Sequence, residues 1–340
     1  MLPLESSYPP MEATLTEKLP IDEQGWQFEP KWDGFRCLSF RDGNHLDMRS
    51  KSGQPLSRYF PEVEQAVLSL AATQCVLDGE LVMADPEQFS FDDLLERIHP
   101  AASRVKKLSV ERPAIYVVFD LLVDEHGQSL VDLPLEKRRQ HLEHFAEQFL
   151  HTRDIQISPA TTDKEVAKKW YDMVGIELDG VVAKRLGLPY QSGNRKGMVK
   201  VKNKRTADVV IGGFRYASSG RIIGSLLLGL YDGNGLLNHV GFSSAFSARE
   251  KQQLTTLLEP LIEQPGFTGN APGGPSRWAN KRSEEWYPLK TGLVAEVEYD
   301  HFSAGRFRHG TKFLRWRPDK APEQCTYEQL KLEKGSKRLS

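Results

Sequence analysis

One short stretch combines a candidate nucleophile with charges that could activate it. It runs Glu29-Pro30-Lys31-Trp32-Asp33-Gly34-Phe35-Arg36, with a carboxylate two residues before Lys31, Asp-Gly after it and an arginine five residues on. A lysine is normally protonated, since its reference pKa is about 10.4. In a partly closed pocket beside other cations it can lose that proton and attack an electrophile. Taken alone, the stretch is equally compatible with an exposed strand lysine beside a hairpin turn.

Further charged residues recur on other predicted strands. They are Glu80, Asp179, Lys184, Lys200 and Lys202. Inward-facing charges are costly unless they are paired or used. Lysines and arginines contact phosphates, carboxylates bind Mg²⁺, and an aromatic side chain such as Phe119 can stack on a base. The set indicates a site for a nucleoside triphosphate and its metal, and the lack of a Gly-x-x-x-x-Gly-Lys-Ser/Thr motif excludes a P-loop protein.

Structural interpretations of the same residues stay open at this point. Glu80 could merely pair with Lys31 or Arg36. Phe119 could be a plain core residue at the end of an apolar strand, and the basic and aromatic residues at 306–316 could form a solvated barrel strand. Any one of these features alone would be a weak signal, so it is their combination that favours chemistry.

Composition limits the possible classes of protein. The chain has 340 residues, enough for two domains, and its 45 basic and 46 acidic residues nearly cancel. Any nucleic-acid surface must therefore be a local basic patch. No stretch approaches the roughly 20 apolar residues of a membrane span, and the first ten residues lack the features of a leader. We expect a soluble, intracellular protein.

A structural metal centre is not expected. The three cysteines form no C-x-x-C pair, which argues against a zinc module and a disulfide framework. His141 and His144 share one face of a predicted helix, as two metal ligands do. No cysteine or further motif completes a site around them, so a solvated helix face is favoured.

Periodicity and turn signals predict the elements that must position these charges. Residues 1–25 are expected to be an irregular lead-in. Strands are predicted near 26–28, 35–38, 45–49, 75–82, 115–119, 179–184 and 198–202, and helices near 57–70, 89–98, 134–150 and 164–174.

From about Arg205 the pattern changes to short β-rich runs. These lie at 209–214, 225–231, 294–299 and 312–316. Ser247 and Glu250 form a capping box ahead of a helix to about residue 262, and 264–285 is predicted to be a long surface loop. Short strands with one interposed helix favour a small Greek-key barrel such as an OB-fold.

The motifs, taken in order, resemble those of the covalent nucleotidyltransferases. Within that superfamily the chain resembles ATP-dependent DNA ligases of the short bacterial type, which are relatives of the ligases associated with bacterial end joining. The resemblance covers about residues 8–320. It rests on Lys31-Trp32-Asp33-Gly34, Ser50-Lys51-Ser52-Gly53, Leu77-Asp78-Gly79-Glu80, Phe119-Asp120, Asp179-Gly180-Val181-Val182-Ala183-Lys184, Lys200-Val201-Lys202 and Phe313-Leu314-Arg315-Trp316-Arg317-Pro318-Asp319-Lys320.

The resemblance implies an α+β, two-domain nucleotidyltransferase. Residues 1–204 would form a mixed α/β adenylation domain with antiparallel sheets, and 205–325 a small β-barrel of the OB-fold type. A linker is expected near 203–206, and residues 326–340 are expected to be a basic, mobile tail.

The resemblance also implies roles for the residues at the nucleotide. Lys31 would attack the α-phosphate of ATP and become AMP-lysine. The acid Glu29 would bond the adenine amino group, and Phe119 would stack on the ring. Arg36 and Lys51 would contact the ribose and phosphates, and later the 5′-phosphate of a nick.

For the phosphates and the metal, the implied set is as follows. Glu80 and Asp179 would be the metal-associated acids for Mg²⁺ or Mn²⁺. Lys200 and Lys202 would contact the α-phosphate, and Arg195 would be a further nucleotide contact. Residues that would orient the leaving pyrophosphate are Arg315, Arg317, Asp319 and Lys320. The chain departs from the common pattern at Lys51 (often arginine), Asp179 (usually glutamate) and Met198 (often tryptophan).

The implied function is sealing of 3′-OH/5′-phosphate nicks in duplex DNA during repair, by a monomer that uses ATP. Two alternatives stay open from the sequence. One is an RNA ligase or capping-type nucleotidyltransferase with the same lysine chemistry. The other is a binding-only OB protein with an inactive nucleotidyl domain.

Overall fold

The computed structural model describes residues 1–20, 25–85, 91–172, 178–202, 204–218, 220–273, 285–290, 292–303, 305–308 and 310–330. The chain divides into two compact units, Met1–Asn203 and Lys204–Ser340. Parts of the helices predicted at 89–98 and 164–174, of the loop at 264–285, of the linker and of the C-terminal tail lie outside the described residues.

Strands and helices are mixed along the first unit. They are β1 Thr14–Thr16, β2 Trp26–Lys31, β3 Phe35–Asp42, β4 His45–Ser50, α1 Pro61–Ser69, β5 Gln74–Met83, α2 Phe91–Leu95, α3 Ala102–Glu111, β6 Ala114–Val123, α4 Leu135–Phe149, β7 Ile155–Ile157, α5 Lys164–Asp172, β8 Gly180–Arg185 and β9 Met198–Val201. The sequence did not predict β1, α3 or β7. The lead-in is not wholly irregular, because β1 pairs in parallel with β9.

Two sheets organise this unit. Sheet A has the order β1-β9-β8-β2 and sheet B the order β4-β3-β5-β6-β7. Successive side chains of a strand point to opposite sides of the sheet. In sheet B both sides are buried, so neighbouring residues belong to different core clusters. Cys37 and Leu77 belong to the core cluster that includes α1. Leu38 and Phe40 belong to a second cluster, which also contains Met198 of sheet A.

The same alternation gives sheet A one apolar face and one charged face. Trp26, Phe28 and Val181 pack with Trp170 of α5. The intervening residues of β2, β8 and β9 point the other way. They are Glu29, Lys31, Val182, Lys184, Met198 and Lys200, and all of them line one cleft.

The second unit is a curved antiparallel sheet with a hairpin and a helix. Its elements are β10 Arg205–Tyr216, β11 Ile223–Tyr231, β12 Leu237–Ser243, α6 Ala248–Leu258, β13 Tyr287–Pro288, β14 Val294–Tyr299, β15 Phe302–Ser303, β16 Arg306–Phe307 and β17 Lys312–Trp316. The predicted capping box is confirmed, since Ser247 Oγ accepts from the Glu250 backbone N–H and Glu250 Oε2 accepts from that of Ser247.

The OB-like fold is confirmed, but the expected closed barrel is not formed. The sheet has the open order β12-β11-β10-β14-β17, with β13 beside β10. Its two edges meet at the single bridge between Ser243 and Thr311. There the Ser243 hydroxyl donates to the Thr311 carbonyl at 2.8 Å and accepts from the Phe313 N–H at 3.1 Å. These side-chain bonds take the place of a continuous ladder between the edges.

The segment predicted as a tail begins with ordered structure. Tyr327–Leu330 forms a short 3₁₀ helix, and the Tyr327 ring lies 5.9 Å from that of Phe302. Residues 331–340 lie outside the described part of the chain. Within the described residues, none of the helices has the length and apolar character needed to cross a bilayer.

Candidate active site

A cleft in the first unit is lined by strands of both sheets. Its volume is about 790 Å³, including solvent at its mouth. The sequence-predicted residues that line it are Glu29, Lys31, Arg36, Lys51, Glu80, Phe119 and Lys200. Asp179, Lys202 and Arg195 are joined to this group by ion pairs.

Lys31 lies at the end of β2, beside Asp179. Its Nζ donates to Asp179 Oδ2 at 2.5 Å, and Lys202 Nζ lies 3.3 Å from the same oxygen. Burial opposes ionisation of Asp179, but the two ammonium groups outweigh it and lower the pKa of this carboxyl. The candidate nucleophile is therefore held by a carboxylate and faces a second lysine.

Gly180 explains how these charges come together. It pairs with Lys31 in the β2–β8 register and has a φ of +150°. A Cβ at this position would lie 2.1 Å from the Val201 carbonyl oxygen. Glycine permits both the backbone angle and the close approach of β8 to the end of β9. Asp179 and Lys202 are thereby placed on either side of this contact.

Two further charges in the cleft lack ion-pair partners. Lys200 makes no ion pair with any described residue, and its pKa is lowered by burial and by the positive charges of Lys31 and Lys202. Burial also raises the pKa of Glu80 to about 7, although Lys31 and Arg36 oppose the shift. No described residue hydrogen-bonds the Glu80 carboxylate. The cleft thus offers one cation and one carboxyl group to an incoming ligand.

Phe119 lies beside two cations of the cleft. The Arg36 guanidinium carbon is 4.5 Å from the centre of its ring, and Lys184 Nζ is 4.4 Å from it. Lys184 also donates to Glu29 Oε2 at 2.8 Å, while Gln27 donates to Oε1 at 2.7 Å. Each carboxylate oxygen keeps a further lone pair. Glu29 can therefore accept from a ligand amino group while it remains paired.

Arg36 is positioned by a buried carboxylate. Its Nε and Nη2 donate to the two oxygens of Asp78 at 2.5 and 2.6 Å, and the Tyr190 hydroxyl donates to Asp78 at 2.6 Å. Asp78 is fully buried. Because both guanidinium bonds come from one fork, the pair fixes the plane of Arg36 over Phe119.

At the mouth of the cleft, Lys51 and Arg195 share one partner. Lys51 Nζ lies 2.9 Å from Glu12 Oε2, and Arg195 Nη2 donates to the same oxygen at 2.8 Å. Hydrogen bonds from these two cations lower the pKa of Glu12. Lys51, predicted to contact the ribose and phosphates, and Arg195, predicted as a further nucleotide contact, are thus held by an acid that the sequence analysis did not select.

The predicted pyrophosphate-orienting residues belong to the second unit, where acids pair with the basic ones. Arg317 Nη1 and Lys320 Nζ lie 2.8 and 2.7 Å from the oxygens of Asp208. Arg317 also pairs with Asp319. The exposed Arg315 lies 2.6 Å from Glu296. Arg317, Asp319 and Lys320 therefore form one cluster around Asp208. Arg315 lies on β17, opposite Glu296 of β14.

Sequence reasoning missed the residues that hold the cations. Glu12 and Tyr190 carry no local motif. Asp78 belongs to the motif Leu77-Asp78-Gly79-Glu80, but the sequence predicts no role for it. Lys184 is predicted only as one of the strand charges, without its pairing to Glu29. Each of these residues is far from its partner in sequence. Tyr190 and Asp78 are separated by 112 residues, and Lys184 and Glu29 by 155. Among the described residues, no group of three or more His, Cys, Asp or Glu side chains could hold a metal.

Comparison with known proteins matches both units. The model of the ATP dependent DNA ligase domain matches residues 9–202, and that of the ATP dependent DNA ligase C terminal region matches residues 219–320. The chain is 42% identical to DNA ligase C1 of Mycolicibacterium smegmatis, over 97% of this chain and 95% of that protein. It is 39% identical to DNA ligase C of Mycobacterium tuberculosis, over 97% and 95% of the two chains.

A solved structure agrees with these matches. The ligase domain of M. tuberculosis LigD is 28% identical, with a TM-score of 0.51 over 94% of this chain and 98% of that one. The family models together cover most of the chain, in the order of its two units. The chain therefore belongs to the family of ATP-dependent DNA ligases.

Proposed function

We propose that this ligase seals 3′-OH/5′-phosphate nicks in duplex DNA through an AMP-Lys31 intermediate. The observation that carries the proposal is the position of Lys31. Its amine lies in a cleft with Asp179 at 2.5 Å and Lys202 near the same oxygen. Lys200 and Glu80, which have no ion-pair partner among the described residues, belong to the lining. A nucleophile, a hydrogen-bond acceptor for its proton and cations for a phosphate are thus gathered in one place.

The adenosine end of ATP would bind at Phe119. The adenine ring stacks on this side chain, and Glu29 accepts from its amino group. A carboxylate would repel the carbonyl oxygen that guanine carries at the corresponding position, which favours ATP over GTP. Arg36, held by Asp78 above Phe119, contacts the ribose and phosphates.

In the first step the Lys31 amine attacks the α-phosphorus. A nitrogen–phosphorus bond forms, the bond to the bridging oxygen of the β-phosphate breaks, and pyrophosphate leaves. Asp179 Oδ2 is the acceptor within reach of the Lys31 proton. Lys200 and Lys202 stabilise the negative charge on the α-phosphate oxygens.

The acids of the cleft fit a divalent cation that arrives with the triphosphate. Burial keeps the pKa of Glu80 at about 7, and its carboxylate has no hydrogen-bond donor among the described residues, so a cation beside it restores the ionised form. Asp179 is already paired with Lys31 and Lys202, so it would support metal binding through its negative charge rather than as a ligand. We assign Glu80 as the ligand and Asp179 as the supporting acid for Mg²⁺ or Mn²⁺. When bound, the metal neutralises charge on the phosphates.

In the later steps DNA replaces ATP at the mouth of the cleft. The 5′-phosphate of the nick contacts Lys51 and takes AMP from Lys31, and the 3′-OH then displaces AMP. We propose that Arg315, Arg317, Asp319 and Lys320 serve only the first step, where they orient the pyrophosphate that leaves. Grip on DNA comes from phosphate contacts, so it is salt-sensitive and largely independent of sequence.

We propose that the protein acts as a monomer in the cytoplasm, at the nucleoid, in DNA repair. The chain is 31% identical to the multifunctional non-homologous end joining protein LigD of Mycobacterium bovis, and the match covers 40% of the length of that protein. This supports a role at broken or nicked DNA. Replacing the substrate's DNA strands with RNA, or ATP with GTP, tests the alternative of an RNA ligase or capping-type enzyme.

The deciding experiment is incubation with α-labelled ATP followed by a nicked duplex. We expect labelled protein, then labelled DNA, then a sealed product. The Lys31→Ala variant should form no AMP-protein, yet should seal a nick supplied already adenylated, because that step needs no nucleophilic lysine. Label on the Lys31→Ala protein would disprove the assignment of the nucleophile.

A further inference from the structure

Glu12 is an acid placed where a substrate phosphate would be expected. One oxygen of its carboxylate lies 2.9 Å from Lys51 Nζ and accepts from Arg195 Nε and Nη2 at 3.0 and 2.8 Å. The side chain lines the cleft. Lys51 and Arg195 are otherwise open to solvent, with 57% and 65% of their side chains exposed. A single carboxylate oxygen thus pairs with two exposed cations at the cleft mouth and leaves a net positive charge there.

The main chain around Glu12 is fixed independently of its carboxylate. The Glu12 N–H donates to the Asn194 carbonyl at 3.0 Å, and the Met11 N–H donates to the Tyr190 hydroxyl at 2.9 Å. Thr14 Oγ1 donates to the Arg195 carbonyl at 3.2 Å. Because these bonds do not involve the carboxylate, the Glu12 side chain can rotate away while the backbone stays in place.

The ion pairs of Glu12 are of a kind that a stronger anion can replace. Exposed pairs contribute little net stability, since solvent screens them and long side chains lose freedom when they pair. A terminal phosphate carries between one and a half and two negative charges at neutral pH, roughly, with three acceptor oxygens. It offers Lys51 and Arg195 more than one carboxylate oxygen does. Exchange of Glu12 for such a phosphate is therefore favourable.

We propose that Glu12 is a displaceable internal anion, which occupies the position of the 5′-phosphate of a nick and withdraws when that phosphate binds. The inference rests on the proposed function, which assigns Lys51 to this phosphate. Glu12 pairs with the two cations while no nick is bound, so the 5′-phosphate gains only the difference between its own contacts and those of the carboxylate. Glu12 thereby sets how tightly the 5′-phosphate of a nick is held.

The test compares Glu12→Gln with a matched control. Glutamine keeps the size of the side chain and removes its charge. Glu147→Gln, on the exposed face of α4, changes the net charge equally without touching the cleft. Binding of the full chain to two nicked duplexes, one with a 5′-phosphate and one with a 5′-OH, is measured by fluorescence anisotropy. EDTA is present throughout to prevent catalysis.

We expect Glu12→Gln to bind the 5′-phosphate nick about three- to tenfold more tightly, because the carboxylate no longer has to be displaced. Binding of the 5′-OH nick should be unchanged. Glu147→Gln should leave both affinities unchanged. No gain for the 5′-phosphate nick, or an equal gain for both nicks, would overturn the proposal.

Lys51→Ala separates failure of this inference from failure of the proposed function. If Lys51 contacts the 5′-phosphate, Lys51→Ala alone should lower the preference for the 5′-phosphate nick, and it should abolish the gain in the double variant with Glu12→Gln. A lowered preference together with no effect of Glu12→Gln rejects only the displaceable anion. An unaltered preference in Lys51→Ala rejects the assignment of Lys51, and the inference with it.

Discussion

The buried carboxylate of Asp78 provides the sharpest test of how the cleft is built. It accepts two bonds from Arg36 and one from Tyr190, all between 2.5 and 2.6 Å, and it is fully buried. Asp78→Asn keeps the shape of the side chain. It removes the negative charge and turns one acceptor oxygen into a donor, so Arg36 loses its charge partner and one of its two bonds.

The expected loss follows from the position of the pair. Removing one partner of a buried ion pair costs about 3–5 kcal/mol, because the other charge stays behind unpaired. The Arg36 side chain keeps 19% of its exposure, so water relieves part of this cost and we expect about 3 kcal/mol. Tyr190→Phe removes the hydrogen bond to the charged Asp78 and also the acceptor of the Met11 N–H, and it should cost about 2–3 kcal/mol.

Urea unfolding of the wild type and variants measures these losses. Adding Arg36→Met to Asp78→Asn removes the unpaired charge, so the double variant should be more stable than Asp78→Asn alone. AMP-Lys31 formation should fall in Asp78→Asn, since Arg36 is no longer held over Phe119. A loss below about 1 kcal/mol, or losses that simply add in the double variant, would refute the reasoning.

Three further predictions follow from the same geometry. Burial raises the pKa of Glu80 from 4.5 to about 7, so its stability contribution is present below pH 4.5 and is lost as the pH rises through 7. Glu80→Gln should lack this decline, which is about 3 kcal/mol, in urea unfolding from pH 4 to 8. Gly34→Ala places a Cβ 2.0 Å from a carbonyl oxygen and should lower the melting temperature and AMP transfer, whereas Gly187→Ala, with open space around it, should not. Arg315→Ala with Arg317→Ala should impair AMP-Lys31 formation while sealing of pre-adenylated nicks continues, and equal losses in the two assays would contradict the assigned role.

The local elements of the fold could be predicted because their signals are local. The capping box at Ser247 and the alternation along 198–202 lie within a few residues of one another. The missing elements depend on distant partners. β1 is a strand only because Thr14–Thr16 pairs with β9, at Val199–Val201, and β7 because it lies beside β6. The OB-like fold of the second unit was predicted, but the open form of its sheet was not, because the bridge between its edges joins Ser243 and Thr311, which are 68 residues apart.

The candidate site was predicted unevenly for the same reason. Lys31, Glu80 and Lys200 were selected as strand charges and all three line one cleft, since alternation decides which face a strand residue occupies. The counter-charges had no comparable signal. Arg36 and Asp78 are 42 residues apart, and Glu12 and Arg195 are 183 apart. Such pairs depend on the tertiary arrangement of two sheets, which periodicity within one strand does not contain.

These counter-charges change how substrate binding should be understood. Most cations of the candidate site already have a carboxylate, so a triphosphate or DNA phosphate must exchange with an internal partner and the gain per contact is small. Lys200 is the exception among the described residues, and burial and its lysine neighbours lower its pKa. An anion at Lys200 relieves that repulsion without displacing a described residue, so the largest gain falls beside Lys31, where the proposed mechanism holds the α-phosphate for attack. The cations that already have partners are Lys31, Arg36, Lys51, Lys184, Arg195 and Lys202.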